Sequence, residues 1–94
     1  MLGFEWDEDK AAYILATHKV SFETASHVFD DEYCVELYDF VHSTPFEERY
    51  IVIGKVEDVL FVVYTERGEN IRLISARYAT PKERREYYGQ DGLL

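Results

Sequence analysis

Residues 49–78 read RYIVIGKVEDVLFVVYTERGENIRLISARY and carry the strongest structural signal in the chain. The stretch is rich in Val, Ile, Tyr and Phe, and it divides into three predicted β-strands at residues 49–54, 59–66 and 70–78. Short connections between these strands predict an antiparallel meander. Because the first two strands are apolar on both faces, helices or a partner must cover both sides of the sheet.

In most of the segment before the meander, apolar residues recur at the spacing of helices rather than that of strands. A short strand is predicted at residues 2–6, and Asp7 is the predicted N-cap of a helix. Ser21 is the predicted N-cap of a second helix, and a further strand follows at residues 34–38. The predicted inner faces of the two helices are Ala11, Ile14, Leu15 and His18 in the first, and Phe22, Ala25, Val28 and Phe29 in the second.

After the meander, the chain has the clearest helix signals. Thr80 and Glu83 fit a capping box, and Pro81 suits the first helical position. Gly89 supplies a stop at the other end. The sequence therefore predicts an α+β fold with two N-terminal helices, an antiparallel sheet of about four strands and a C-terminal helix. At 94 residues, we expect a single domain that spans residues 1–94.

Composition places further bounds on the protein. The single cysteine, Cys34, cannot form an internal disulfide, which favours a reducing compartment. The N-terminal residues lack the pattern of a signal peptide, and the longest apolar run, residues 59–64, is too short to span a bilayer. We therefore expect a cytoplasmic protein with no membrane role.

Charge is distributed unevenly along the chain, whose formal net charge is -9. Residues 1–48 hold 12 acids and 2 bases, whereas residues 49–94 hold 7 acids and 8 bases. This asymmetry predicts a local anion site in a protein whose overall charge disfavours nucleic acid. Six of these eight bases lie within residues 64–85: Arg67, Arg72, Arg77, Lys82, Arg84 and Arg85.

Short motifs follow one another in a defined order over residues 4–88. They are Phe4-Glu5-Trp6-Asp7, Lys10, His18, Val20-Ser21-Phe22-Glu23, Val28-Phe29-Asp30-Asp31, His42-Ser43, Glu48-Arg49, Tyr64-Thr65-Glu66-Arg67-Gly68, Ile74-Ser75-Ala76-Arg77 and Glu83-Arg84-Arg85. In this order and spacing they resemble the BrnT family of bacterial toxins. The chain departs from the common pattern of that family at Ile14, Thr17, Lys19 and Thr24.

The resemblance implies a RelE-like fold and a cytoplasmic ribonuclease that cleaves messenger RNA and inhibits translation. It also implies a BrnA-like antitoxin of the ribbon-helix-helix class, and binding of promoter DNA only as the toxin–antitoxin complex. We expect a metal-independent endoribonuclease without cofactors. The chain has no phosphate-binding glycine loop, nucleophile elbow or dinucleotide fingerprint, and its His and Cys residues lack metal-ligand spacing.

Arginines can supply most of the chemistry that RNA cleavage needs, because the ribose 2′-hydroxyl is itself the nucleophile. A guanidinium matches phosphate oxygens in a bidentate fork and stays charged, so Arg77, Arg67 and Arg72 are candidate catalytic residues, with Arg77 preferred. In an unbroken strand Arg72 and Arg77 point to opposite faces, so both can line one site only across a β-bulge or at the end of the strand. Arg67 has an alternative role in structure or in antitoxin binding.

The predicted C-terminal helix combines cations with aromatic residues, a pattern that can bind phosphate and stack on bases. The alternative is structural, since cations stabilise the C-terminus of a helix and tyrosines can dock the helix on the sheet. The candidate RNA-binding residues are Lys82, Arg84, Arg85, Tyr87 and Tyr88.

Two histidines have candidate roles. His42 lies in a predicted polar loop and is a candidate general acid or base, although a solvated loop residue is the alternative. His18 continues the apolar face of the first helix and is predicted to be half-buried rather than a ligand.

Two further functions stay open. The first is a catalytically degenerate toxin fold that binds the antitoxin as co-repressor or decoy, which the net charge of -9 favours. The second is an acidic mimic of nucleic acid, which needs a contiguous negative face. The acidic runs at residues 7–9 and 30–31 are either solvated helix ends or a docking surface for a basic antitoxin.

Overall fold

The computed structural model describes residues 3–89 of the chain. In this part, three α-helices and one 3-10 helix pack on a five-stranded sheet, which confirms the predicted α+β class. The 3-10 helix spans His27–Asp30. The strands are β1 Gly3–Glu5, β2 Val35–Tyr38, β3 Arg49–Val56, β4 Asp58–Arg67 and β5 Asn70–Tyr78, and the α-helices are α1 Glu8–His18, α2 Phe22–Ser26 and α3 Pro81–Gly89.

The strand order is β1-β5-β4-β3-β2, and the predicted antiparallel meander of β3, β4 and β5 is confirmed. The four predicted antiparallel strands are present as β2 to β5, but the sheet is mixed and has five strands rather than about four, since β1 pairs with β5 in parallel. Phe4 lies opposite Ile71 in this pair. A three-residue strand carries too little pattern to indicate a partner so far along the chain. Leu2, in the predicted first strand, lies outside the described residues.

One face of the sheet, here termed the covered face, is closed by α1, α2 and the 3-10 helix. Ser21 caps α2 as predicted, since its Oγ accepts a hydrogen bond from the Thr24 N–H at 3.0 Å. Asp7 is the N-cap of α1, but its side chain makes no capping hydrogen bond. The core on this face includes Ile14, Val20, Phe22, Ala25, Val28, Val52, Leu60, Val62, Tyr64, Ile71, Leu73 and Ala76, all of them buried.

Helix α1 buries a narrower stripe than its sequence pattern predicts. Ile14 is buried and Ala11 packs against the core, but Leu15 is 50% exposed. His18 is also exposed, so the prediction that it is half-buried was wrong. Helix α1 lies along β5 near the edge of the sheet, where only one side of the helix meets the core.

The opposite face, here termed the open face, is covered at one end by α3. Its predicted capping box is confirmed: Thr80 N–H donates to Glu83 Oε1 at 2.9 Å, and Glu83 N–H donates to Thr80 Oγ1 at 3.2 Å. Tyr87 docks the helix in a small cluster with Ile53 and Val59. The sheet thus has one closed face and one that is only partly covered.

Candidate nucleic-acid interface

A β-bulge in β5 determines which arginines share a face. Val63 pairs with Ser75, whereas the next residue of β4, Tyr64, pairs with Leu73. Ile74 is therefore an extra residue in β5, and the alternation of its side chains shifts by one position there. As a result, Arg72, Ser75 and Arg77 lie half-buried on the open face, while Ile71, Leu73 and Ala76 are buried in the core of the covered face.

The sequence predicts that Arg72 and Arg77 can line one site only across a β-bulge or at the end of the strand, and the bulge at Ile74 satisfies this condition. The two arginines lie five positions apart, which would separate them in an unbroken strand. The extra residue, Ile74, returns both to the open face. Their common location is observed, whereas their catalytic role stays a prediction.

Four strands contribute to one row of side chains on the open face. Arg49 lies opposite Thr65, and Thr65 lies opposite Arg72. Arg72 in turn lies opposite Glu5 of β1. Directly opposed residues point to the same side of a sheet, so these four form a continuous line, here termed the arginine row. Sequence reasoning missed Arg49 as a site residue, although the Glu48-Arg49 motif and the alignment of Arg49 with Thr65 in the meander were signals that could have indicated it.

Carboxylates hold the arginines near this row. Glu5 Oε1 lies 3.7 Å from Arg72 Nη1 and 3.7 Å from Arg67 Nε, and Glu47 Oε1 accepts a hydrogen bond from Arg49 Nε at 2.9 Å. Glu5 Oε1 is buried and has no hydrogen-bond partner among the described residues. Both of its ion pairs are longer than a hydrogen bond, so the guanidinium groups of Arg67 and Arg72 are attracted to it without directed bonds.

Arg77 has the tightest contacts of the predicted catalytic residues. Its two terminal nitrogens donate to the carboxylate of Glu83 at 2.8 and 3.0 Å, and its guanidinium stacks on the ring of Phe61 at 3.9 Å. The hydrogen bond from Arg77, opposed by partial burial, holds the pKa of Glu83 below its ordinary value. These contacts join β5 to α3, so Arg77 has a structural part whatever its catalytic role.

Helix α3 divides the predicted RNA-binding residues into two groups. Tyr87 is 6% exposed and donates to Asp31 Oδ2 at 2.5 Å, and Arg84 donates to Asp58 Oδ1 at 2.5 Å. Burial and the hydrogen bond to Asp31 raise the pKa of Tyr87. These contacts anchor the helix, which matches the structural alternative. Lys82, Arg85 and Tyr88 are the exposed members of the set.

His42 makes a defined pair with Asp39 in the loop between β2 and β3. Its Nδ1 lies 3.0 Å from Asp39 Oδ2, and its backbone N–H donates to Asp39 Oδ1 at 3.2 Å. Asp39 is 8% exposed, whereas the His42 side chain is 66% exposed. Burial works to raise the pKa of Asp39, but the hydrogen bonds from His42 outweigh it and lower that pKa. Asp39 thus orients the exposed imidazole through its Nδ1. No motif in the sequence pointed to Asp39.

Within residues 3–89, no cluster of His, Cys, Asp or Glu could hold a metal ion. The helices in the same part of the chain lack the length and apolar character needed to cross a membrane. The fold and site together define a small α+β protein with a partly open sheet face that carries aligned arginines, an arrangement suited to binding phosphate.

Comparison with known proteins identifies the family. A family model described as the ribonuclease toxin BrnT of a type II toxin–antitoxin system matches residues 6–83, and the chain belongs to this family. The crystal structure of the Brucella abortus ribonuclease toxin BrnT superposes with a TM-score of 0.66 at 19% identity, covering 85% of this chain and 99% of that one, which shows a shared fold. Comparison with curated protein sequences yields no match. Family membership implies an antitoxin partner and an RNA substrate.

Proposed function

We propose that the protein is a metal-independent endoribonuclease that cleaves messenger RNA on the open face of its sheet and thereby inhibits translation. The observation that carries this proposal is the bulge at Ile74, which brings Arg72 and Arg77 to the face that also presents Arg49. We further propose a cytoplasmic, RelE-like single domain over residues 1–94. A BrnA-like ribbon-helix-helix antitoxin neutralises it, and promoter DNA is bound only by the complex of the two.

In this mechanism the arginines act on the scissile phosphate. The guanidinium groups of Arg72 and Arg49 bind phosphate oxygens and stabilise the charge that develops as the 2′-hydroxyl attacks. The 3.7 Å contact between Arg72 and Glu5 is not a hydrogen bond, so the guanidinium can direct its N–H groups to phosphate oxygens while it stays near this carboxylate. Arg67 is attracted to the same carboxylate and its side chain is 58% exposed, so it can bind the phosphate of a neighbouring nucleotide.

Proton transfer is assigned to His42. Asp39 holds its Nδ1, so Nε2 is the atom that takes the proton of the 2′-hydroxyl or donates one to the leaving oxygen. On the exposed side of α3, Lys82 and Arg85 extend the cationic surface toward the flanking phosphates, and Tyr88 provides a ring for a base. Arg84 and Tyr87 support this surface through their anchoring contacts.

A second candidate function is the catalytically degenerate binding module. The observation that favours it is that carboxylates accompany the arginines of the open face, as in the Arg77–Glu83 and Arg49–Glu47 pairs. Such pairs lower the affinity for phosphate, since an anion must displace the carboxylate. In this case the protein still binds its antitoxin but does not cleave RNA.

Cleavage of a labelled messenger RNA by the purified protein in EDTA tests the main proposal. We expect wild type to cleave and Arg72→Ala to lose about 100-fold in single-turnover rate, the usual cost of removing one group that stabilises transition-state charge. Arg72→Lys should recover only part of the loss, because lysine lacks the bidentate fork. A folded wild-type protein that leaves the RNA intact would support the binding module instead.

Arg77 needs a separate design because it also anchors α3. Glu83→Gln is the matched control: it weakens the ion pair, keeps Arg77, and preserves a residue that suits the capping box. If Arg77 is catalytic, Arg77→Ala abolishes cleavage while Glu83→Gln retains it. Equal loss of activity in the two variants, together with equal loss of thermal stability, would restrict Arg77 to its structural part.

A further inference from the structure

The exposed apolar residues of the protein are concentrated in one segment. Within residues 3–89, ten large hydrophobic side chains are classed as exposed, and five of them lie within ten positions of one another. Phe46 is 98% exposed, Val41 84% and Phe40 83%. Such a concentration marks an interaction site rather than the scattered apolar residues of an ordinary surface. The five residues are Leu37, Tyr38, Phe40, Val41 and Phe46.

Three of these five residues, Phe40, Val41 and Phe46, lie within residues 39–48, here termed the aromatic loop, which forms one wall of a cavity of about 610 Å³. Aromatic contacts organise the cavity. The ring centroid of Tyr38 lies 4.6 Å from that of Phe40 and 5.5 Å from that of Tyr50. The lining residues are Tyr38, Phe40, Ser43, Thr44, Pro45, Phe46, Glu47, Glu48, Tyr50, Thr65, Glu66 and Arg67.

The charge around this cavity selects the kind of partner. Residues 35–48 contain four acids and no lysine or arginine. Glu48 and Glu66 in the cavity wall are exposed, and among the described residues Arg67 is the only lysine or arginine that lines it. Aromatic rings beside carboxylates attract a cationic side chain through both cation–π and Coulombic interactions, whereas they repel the phosphates of RNA.

We infer that the aromatic loop and its cavity receive a segment of the antitoxin in which lysine or arginine side chains alternate with apolar ones. This inference rests on the proposed function, because the toxin of a type II toxin–antitoxin pair must be neutralised by a protein partner. The loop follows β2, which is an edge strand of the sheet, so an extended segment can also pair with the backbone there.

The position of the cavity connects binding with neutralisation. Thr65 belongs both to the arginine row and to the wall of the cavity. Arg67 also lines the cavity and approaches the same Glu5 carboxylate as Arg72. A segment seated in the cavity therefore meets Arg67 and obstructs RNA next to the arginine row, although Arg49 and Arg72 do not line the cavity. Acidic residues at the same site accelerate association with a basic partner.

The test is binding of the antitoxin encoded with this toxin, measured by biolayer interferometry against wild type and two variants. Phe46→Ser removes an exposed aromatic anchor, and we expect it to raise Kd by about 10-fold or more. Glu48→Lys reverses the charge of the cavity wall, and we expect a similar increase at low salt that shrinks as salt screens the charges.

Two variants elsewhere on the surface are matched controls. Tyr13→Ser removes an aromatic ring that is 64% exposed on α1, and Glu8→Lys reverses a charge in the acidic run at residues 7–9. Both should leave Kd within about twofold of wild type. Thermal melts of all four variants establish that each is folded.

Several outcomes would overturn the inference. Unchanged antitoxin affinity in both loop variants would do so, as would an equal effect of Glu8→Lys, which would indicate general attraction between charged proteins or docking on the acidic run at residues 7–9. If sedimentation shows that wild type alone dimerises and Phe46→Ser does not, the loop is covered by a second copy instead. Weakened RNA binding by Phe46→Ser with intact antitoxin binding would assign the cavity to substrate. Antitoxin binding does not require ribonuclease activity, so failure of the proposed enzymatic function is detected separately.

Discussion

The two faces of the sheet are built from the same strands but are closed in different ways. On the covered face, Phe22, Val52 and Leu73 are each at most 2% exposed. On the open face, the side chains of Arg72 and Arg77 are 28% and 33% exposed. The sequence correctly predicts apolar residues on both sides of β3 and β4, but an apolar strand does not determine how completely each face is closed.

The contacts that hold the helices to the two faces also differ. The covered face is held mainly by apolar packing, whereas the contacts that hold α3 among the described residues include polar ones in addition to the cluster around Tyr87. Three of these polar contacts are Arg77–Glu83, Arg84–Asp58 and Tyr87–Asp31. Carboxylates take part in each, so we expect pH to change the open face more than the covered one.

The strongest test of this comparison removes packing from the covered face. Phe22 is 1% exposed, so Phe22→Ala should lower the free energy of unfolding of the protein by about 3 to 5 kcal/mol, because burial is lost and a cavity is left behind. Leu37→Ala on the open face, where the side chain is 44% exposed, should cost about 1 kcal/mol or less. Urea unfolding measures both, and similar costs would contradict the proposed difference between the faces.

A second, smaller effect is expected where the 3-10 helix approaches β3. A Cβ added at Gly54 would lie 3.0 Å from Val28 Cβ and 3.1 Å from Val28 O, so Gly54→Ala should destabilise the protein by about 1 to 3 kcal/mol through overpacking. Gly89→Ala is the control, because its added Cβ meets nothing within 4 Å among the described residues. Thermal melts that show no loss for Gly54→Ala would mean that the 3-10 helix can move away from the sheet.

The smallest expected effect concerns the polar attachment of α3. Arg77 lowers the pKa of Glu83, so this ion pair contributes stability above the ordinary carboxyl value of 4.5 and loses it as pH falls through the lowered pKa. Glu83→Gln should therefore cost about 1 to 2 kcal/mol near neutral pH, and the gap to wild type should close in acid. Melting temperatures from about pH 7 to about pH 3 measure this gap. A gap that does not change with pH would rule out the ion pair as its cause.

The candidate site was predictable only in part, for physical reasons that differ between residues. The condition that Arg72 and Arg77 need a bulge to share a face follows from strand parity, but the location of the bulge depends on packing between β4 and β5. Arg49 was not selected because its proximity to Arg72 depends on strand register. From the sequence, Tyr87 could either bind RNA or dock the C-terminal helix on the sheet, and only its burial in the structure favours docking.

Local signals in the sequence by themselves determined α3, with its Thr80–Glu83 capping box, and the three strands of the meander. Each depends on hydrogen bonds or apolar periods within a few residues of the chain. The tertiary structure alone decided that β1 pairs in parallel with β5, that Glu5 approaches Arg67 and Arg72, and that α3 leaves much of one sheet face open. These features join residues far apart in the chain, and their energies depend on how the whole sheet packs.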